Sequence, residues 1–243
     1  IGKTRLGNEA LRDIVFMYAE SGDASKAPAY FKSIAGKEAN NYLEKLAYYY
    51  ADNGEIQSTK DVFKYLINSN PTAPKAFDYQ YQIVKLYGTA KKTREFREEL
   101  SYWINKFGPE GAWAKANSGN KDLIENDAKL SETTLRNYVL QQHQIAQNSR
   151  APHSQNMALE GYGLYFAEFK SGSNIADMHF YFGELLYDLE KFDEAGIHYR
   201  WVVENGLGTK FFPTAANNIL ISSEKNIPKD EIISKMVGKT IEQ

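Results

Sequence analysis

The stretch FYFGELLYDLEKFDEAGIHYRWVV, residues 180–203, belongs to a pattern that recurs along the chain and constrains the fold more than any other feature. Leu11, Ile14, Val15 and Tyr18 are followed by Gly22, then by Ala27, Phe31 and Ile34. Adding 32 to each number gives Leu43, Leu46, Ala47, Tyr50, Gly54, Thr59, Phe63 and Leu66, and Pro71 closes the unit. Adding 168 gives His179, Phe182, Gly183, Leu186, Glu190, Ala195, Tyr199 and Val202. Within each set the apolar residues are three, four and seven apart, so they share one helical face. Each unit therefore reads as helix, turn, helix. The larger offset is about five periods of roughly 34 residues, which leaves room for further pairs between. Glycine inside a helix costs roughly 0.5–1 kcal/mol relative to alanine. Small residues at Gly183 and Ala195 are expected where two helices cross with axes about 8–10 Å apart.

The remaining chain extends the reading. Residues 73–107 read as another helix pair, with Phe77, Tyr81, Val84 and Tyr87 on the first helix and Phe96, Leu100, Trp103 and Phe107 on the next. Pro71 and Pro109 bracket this pair and make it longer than its neighbours. The polar stretch 111–130 reads as an irregular connection. Ser131, with Glu132 behind it, then marks a helix start, 150–155 a loop, and Met157 to Phe169 a resumed helix. Ser58 with Asp61 resembles a capping box, and Pro228 with Asp230 and Glu231 suits a first turn. The expected organisation is repeats over 1–110, a connection over 111–130, and repeats over 131–243 that end in a polar capping helix. No alternating strand pattern occurs.

The ordered combination of large apolar residue, apolar–small pair, aromatic, turn glycine, alanine, aromatic and proline resembles the tetratricopeptide repeat (TPR) over 8–71 and 176–207. His179, Thr59 and Val15 depart from the family pattern. The resemblance implies an all-α, right-handed superhelical solenoid of antiparallel helix pairs.

Several kinds of chemistry find little purchase. The formal net charge of −2 gives no electrostatic case for nucleic acid. No apolar run approaches the roughly 20 residues of a membrane span. Cysteine is absent, which excludes disulfides, thiol nucleophiles and cysteine zinc sites. Gly2-Lys3-Thr4 matches the tail of a phosphate loop without its preceding glycine and strand. His143, His153, His179 and His198 form no metal-ligand spacing, although His179 and His198 lie on two helices of one pair. Acidic and basic residues in REFREEL, 94–100, read as a solvated helix face beside Lys91 and Lys92. The sequence therefore predicts no catalytic residues, no cofactor and no metal. Ile1 in place of an initiator methionine reads as the start of an excised or processed fragment.

What remains is surface. The 17 tyrosines, 13 phenylalanines and 3 tryptophans exceed what an apolar core needs, and put rings at core edges or along a groove. In a stacked array the first helix of each pair lines the concave face. Residues offset from its packing stripe are the candidate partner-binding groove: Arg12, Phe16 and Glu20, then Glu44, Tyr48 and Asp52, then Phe180, Glu184 and Tyr187. Rings mixed with charges suit a peptide or a partner helix. Family members that bind chaperone tails hold a terminal carboxylate with Lys, Asn and Arg, and the acidic and aromatic residues here disfavour that ligand. The expected function is a non-catalytic scaffold or adaptor for a protein or peptide partner. The alternatives are a regulatory peptide sensor and an assembly or motility component. In style the chain is similar to helical-repeat proteins of bacterial outer-membrane assembly and gliding machineries, which leans localisation toward periplasm or outer membrane.

Overall fold

The computed structural model describes residues 13–226, and no strand occurs among them. The chain divides into two compact units, 1–133 and 134–243. The first contains α1 (13–21), α2 (Ala27–Ala35), α3 (Ala39–Asp52), α4 (Ile56–Ser69), α5 (Ala76–Thr89), α6 (Thr93–Phe107), the short α7 (Ala112–Ala116) and the start of α8 (Lys121–Ser149). The second holds the rest of α8, then α9 (Pro152–Glu168), α10 (Ile175–Asp188), α11 (Phe192–Asn205) and α12 (Phe212–Lys225). Helices adjacent in sequence pack against each other: α2 on α3, α3 on α4, α4 on α5 and α5 on α6 in the first unit, α10 on α11 and α11 on α12 in the second. The expected start at Pro228 and the helix after it lie outside the described residues, as do Gly2-Lys3-Thr4.

Three of these pairs are closed by the same joint. Gly54, Lys91 and Glu190 are left-handed, at φ 73°, 54° and 59°. The N–H of the next residue bonds back five positions, Glu55 to the Tyr50 carbonyl at 2.9 Å, Lys92 to Tyr87 at 3.0 Å and Lys191 to Leu186 at 2.9 Å. This is the Schellman closure, which satisfies carbonyls that a helix end leaves open. Gly54 takes the conformation freely, whereas Lys91 and Glu190 accept a penalty of about 1–2 kcal/mol. Gly22, expected as an equivalent turn glycine, is not left-handed. It is required because a Cβ there would lie 2.6 Å from the Tyr18 ring.

Counting from these joints aligns the pairs. Leu43, Leu46, Ala47 and Tyr50 are buried on α3, and Thr59, Val62, Phe63 and Leu66 on α4. The same positions are Gln80, Ile83, Val84 and Tyr87 with Phe96, Glu99, Leu100 and Trp103 in α5–α6. In α10–α11 they are His179, Phe182, Gly183 and Leu186 with Ala195, His198, Tyr199 and Val202. Gly183 is small because a Cβ would stand 2.6 Å from Cε1 of Tyr199. Ala195, Tyr199 and Val202 close a core with Phe180, Leu186 and Ala215. On α2, Phe31 is buried but Ile34, expected beside it, is 42% exposed in the last turn.

Three expected helix starts move. The helix predicted from Ser131 begins at Lys121, so much of 111–130 is helical. Asn120 caps it, its side-chain oxygen accepting the Leu123 N–H at 3.2 Å, while the Ser131 hydroxyl donates to the Ala128 carbonyl at 3.0 Å inside the helix. The polarity of 111–130 reflects the exposed residues of α7 and of the start of α8, with only 117–120 non-helical between them. Residues 150–155 are not all loop, since α9 starts at Pro152, whose fixed φ suits a first turn. Ser58 lies inside α4, which starts at Ile56, and Asp61 accepts instead from Gln57 at 2.7 Å.

Candidate functional site

In the first unit, the faces of α1 and α3 that carry the predicted groove residues are joined to each other and to the start of α5 by side chains about one repeat apart. Glu20 accepts a hydrogen bond from the Tyr49 hydroxyl at 2.7 Å. Glu44 accepts from Lys75 at 2.7 Å, an exposed pair worth little by itself. Tyr48 donates to Asp78, whose other oxygen accepts from Gln82 at 3.1 Å. Burial, then the Asp78 carboxylate, hold the Tyr48 phenol far above its ordinary range, so it stays a neutral donor. Asp127, half-buried near Asp78, is pushed up to about 6 by burial and then by that like charge. Phe16 is 47% exposed and meets Tyr49 edge-on with centroids 5.4 Å apart. Arg12 lies outside the described residues.

Asp52 differs from these neighbours in lacking a partner among the described residues. It borders a cleft of about 250 Å³ between the C-terminal turns of α3 and α5, lined also by Ala51, Gln82, Lys85, Leu86 and Thr89. Asp52 and Lys85 face the same space without pairing, so the cleft offers one anion and one cation.

In the second unit the three predicted residues are mostly internal. Phe180 is 6% exposed and stacks on Phe211 with centroids 4.1 Å apart. Glu184 accepts from the Tyr199 hydroxyl at 2.6 Å and from Asn218 at 2.8 Å. Tyr187 is half-buried against the edge of Phe192, at 5.1 Å. These residues hold successive helices together, and Phe180 belongs to the core. The sequence reading missed the partners Tyr49, Lys75, Asp78 and Asn218. The available signal was polar residues separated by 29 to 34 positions on equivalent helices.

The two histidines placed on one helix pair do meet. His179 Nδ1 and His198 Nδ1 are 2.8 Å apart, so one neutral ring donates and the other accepts. Phe166, Phe182 and Trp201 surround them, with Trp201 stacked 3.9 Å from the His179 ring centroid. Burial lowers His179 to about 3 and His198 to about 4. Among the described residues no three His, Asp or Glu side chains converge as a metal-binding group. No helix of the described residues is long and apolar enough to cross a membrane.

Neither protein-family models nor curated protein sequences give a match to this chain.

Proposed function

We propose that the chain is a non-catalytic scaffold, a TPR-like right-handed solenoid whose first helices present a face to a peptide or partner helix. The observation that carries this reading is the joint repeated at Gly54, Lys91 and Glu190, with most of the equivalent residue positions around it buried. Helix pairs that repeat one geometry stack by contacts between neighbours, and such stacks expose extended binding faces. The side-chain links from α1 to α3 and from α3 to α5 fix the spacing of that face. Fixed walls reduce the ordering that binding would otherwise require. On this face Phe16 supplies exposed ring area, while Asp52 and Lys85 supply charges that set register.

Affinity capture from the native organism tests the proposal, with the unmodified chain compared with Phe16→Ala and Asp52→Lys. Both positions are exposed, so helicity and melting temperature are expected to stay unchanged. The proposal expects a partner retained by the parent chain and depleted at least several-fold with Asp52→Lys. Equal recovery with all three chains would overturn the groove assignment.

A further inference from the structure

The second unit contains its own cleft, of about 310 Å³, where the end of α8, the start of α9 and the end of α10 meet. Its position follows from the helix joints. Gln147 lies three residues before the left-handed Arg150, as Ala51 lies before Gly54. Leu185 and Asp188 stand five and two residues before Glu190, as Leu86 and Thr89 stand before Lys91. The architecture therefore makes a hollow at this corner in each unit. The side chains that fill the second one give it a different chemistry.

Arg150 ends α8 at φ 52°, and its N–H returns to the Ala146 carbonyl at 2.9 Å, so its backbone is pinned. Its guanidinium has no acidic partner among the described residues. Asp188 Oδ2, on the same cleft, accepts from the Gln147 amide at 3.0 Å, which orients the carboxylate and leaves its other oxygen without a hydrogen-bond partner among the described residues. Buried Ala146 and Leu185 form the floor. A cation and an anion thus border one small cleft without forming an ion pair. Arginine presents a planar fork that matches a carboxylate in two hydrogen bonds. The oriented Asp188 oxygen suits an ammonium group. The volume lies at the lower end of the roughly 300–1,000 Å³ typical of small-molecule sites.

We infer that the Arg150–Asp188 cleft binds a small zwitterion of the amino-acid or dipeptide class. The ligand carboxylate lies on Arg150, its ammonium on Asp188, and a modest apolar side chain on Leu185. Gln155 borders the same cleft and offers a further amide. The first-unit cleft has Lys85 in place of a fork. This inference does not rest on a partner binding the first-helix face, and each can fail alone.

Titration calorimetry on the whole chain decides it. The probes are the free L-amino acids, a set of dipeptides, and N-acetyl and methyl-ester forms of those that bind. At least one free zwitterion is expected to bind at one site per chain, and blocking either end should weaken it roughly tenfold or more, as loss of a charged hydrogen bond does. Arg150→Gln and Asp188→Asn should each cause a similar loss at unchanged melting temperature, while Lys106→Gln, at the exposed surface of α6, leaves zwitterion binding unchanged. Preference for amino acids or for dipeptides identifies the source within the class, and either supports the site. If Asp188→Asn perturbs folding, the exposed Arg150→Gln carries the test. Absence of binding by every zwitterion at millimolar concentration, or binding that survives Arg150→Gln, would overturn it.

Discussion

The α5–α6 pair and the α10–α11 pair place different chemistry at one position of a shared geometry. Counted from the joints, Gln80 and His179 are equivalent, and so are Glu99 and His198; in α3–α4 those positions hold Leu43 and Val62. Gln80 donates to Glu99 at 2.7 Å, and His179 meets His198 at 2.8 Å. The apolar version needs no partner. The polar versions are paired, because an unpaired polar group there would lose its hydration without compensation. Each also recruits different surroundings. Glu99 draws Lys60 at 2.7 Å and Lys64 at 2.9 Å from α4, whereas the histidines are enclosed by aromatic rings. The joint and the close crossing thus define the pair, while the buried contact between its helices is interchangeable.

The largest effect that separates the two is expected from Glu99→Ala. It leaves Lys60 and Lys64 half-buried without their counter-ion, and removing one member of a buried charged cluster costs about 3 kcal/mol. Denaturant unfolding should show that loss, and a change below about 1 kcal/mol would mean the lysines reach water unaided. Restoring the apolar version with Gln80→Leu and Glu99→Val should leave a smaller deficit than Glu99→Ala.

Gly183→Leu probes the crossing itself. The added side chain enters the space of Tyr199, and overpacking of this kind costs about 1–3 kcal/mol. A lowered melting temperature is expected, with Gly183→Ala intermediate. An unchanged value for the leucine variant would remove the packing role of this glycine.

Acid should distinguish the units by the pH at which each weakens. The His179 and His198 folded values are depressed from 6.5, so the unfolded chain takes up those protons first as pH falls. Stability from the neutral pair is intact above about 6.5 and declines from there toward pH 4. The ceiling is about 1.4 kcal/mol per pH unit for each proton, reduced because the rings are only partly buried. For Glu99, burial works to raise the carboxyl, but Lys60, Lys64 and Gln80 outweigh it and leave it below 4.5. Its contribution is therefore present above about 4.5 and lost below. Hydrogen exchange across pH 7 to 4 should show α10–α11 opening before α5–α6. The reverse order would contradict the assignment.

The smallest effect lies at Thr59, which shares its position with Phe96 and Ala195. Its hydroxyl is fully buried with no hydrogen-bond partner among the described residues. Thr59→Val keeps the shape and removes that orphan, and a gain of about 1 kcal/mol is expected by thermal unfolding.

Much of the fold was legible because it depends on periodic burial. Leu43, Leu46, Tyr50, Phe63 and Val202 are inside, as their spacing requires, and the small Gly183 and Ala195 mark the crossing beside Tyr199. The start of α8 was obscured because Ser131 looks like a cap while Asn120, one helical stretch earlier, is the residue that acts as one. The candidate site was legible only in part. Stripe offsets place Phe16, Tyr48 and Asp52 on a first-helix face, but they do not reveal that Tyr48 and Glu44 are taken by Asp78 and Lys75 on the next such helix. Phe180 fails as a surface residue because Phe211 covers it, and that contact spans more sequence than one helix pair. Nor does any local pattern show that Arg150 and Asp188 border one cleft.

The shared register is tested most directly by cross-linking, since the chain contains no cysteine. Cysteine pairs are placed at Leu43 and Val62, at Gln80 and Glu99, and at His179 and His198, then treated with a short thiol-to-thiol reagent. Controls move the second cysteine two residues on, to Lys64, Ser101 or Arg200, which turns it to the other side of its helix. Efficient linkage of all three equivalent pairs and of none of the controls is the predicted result. A pair that links only in the shifted register would contradict the repeat geometry.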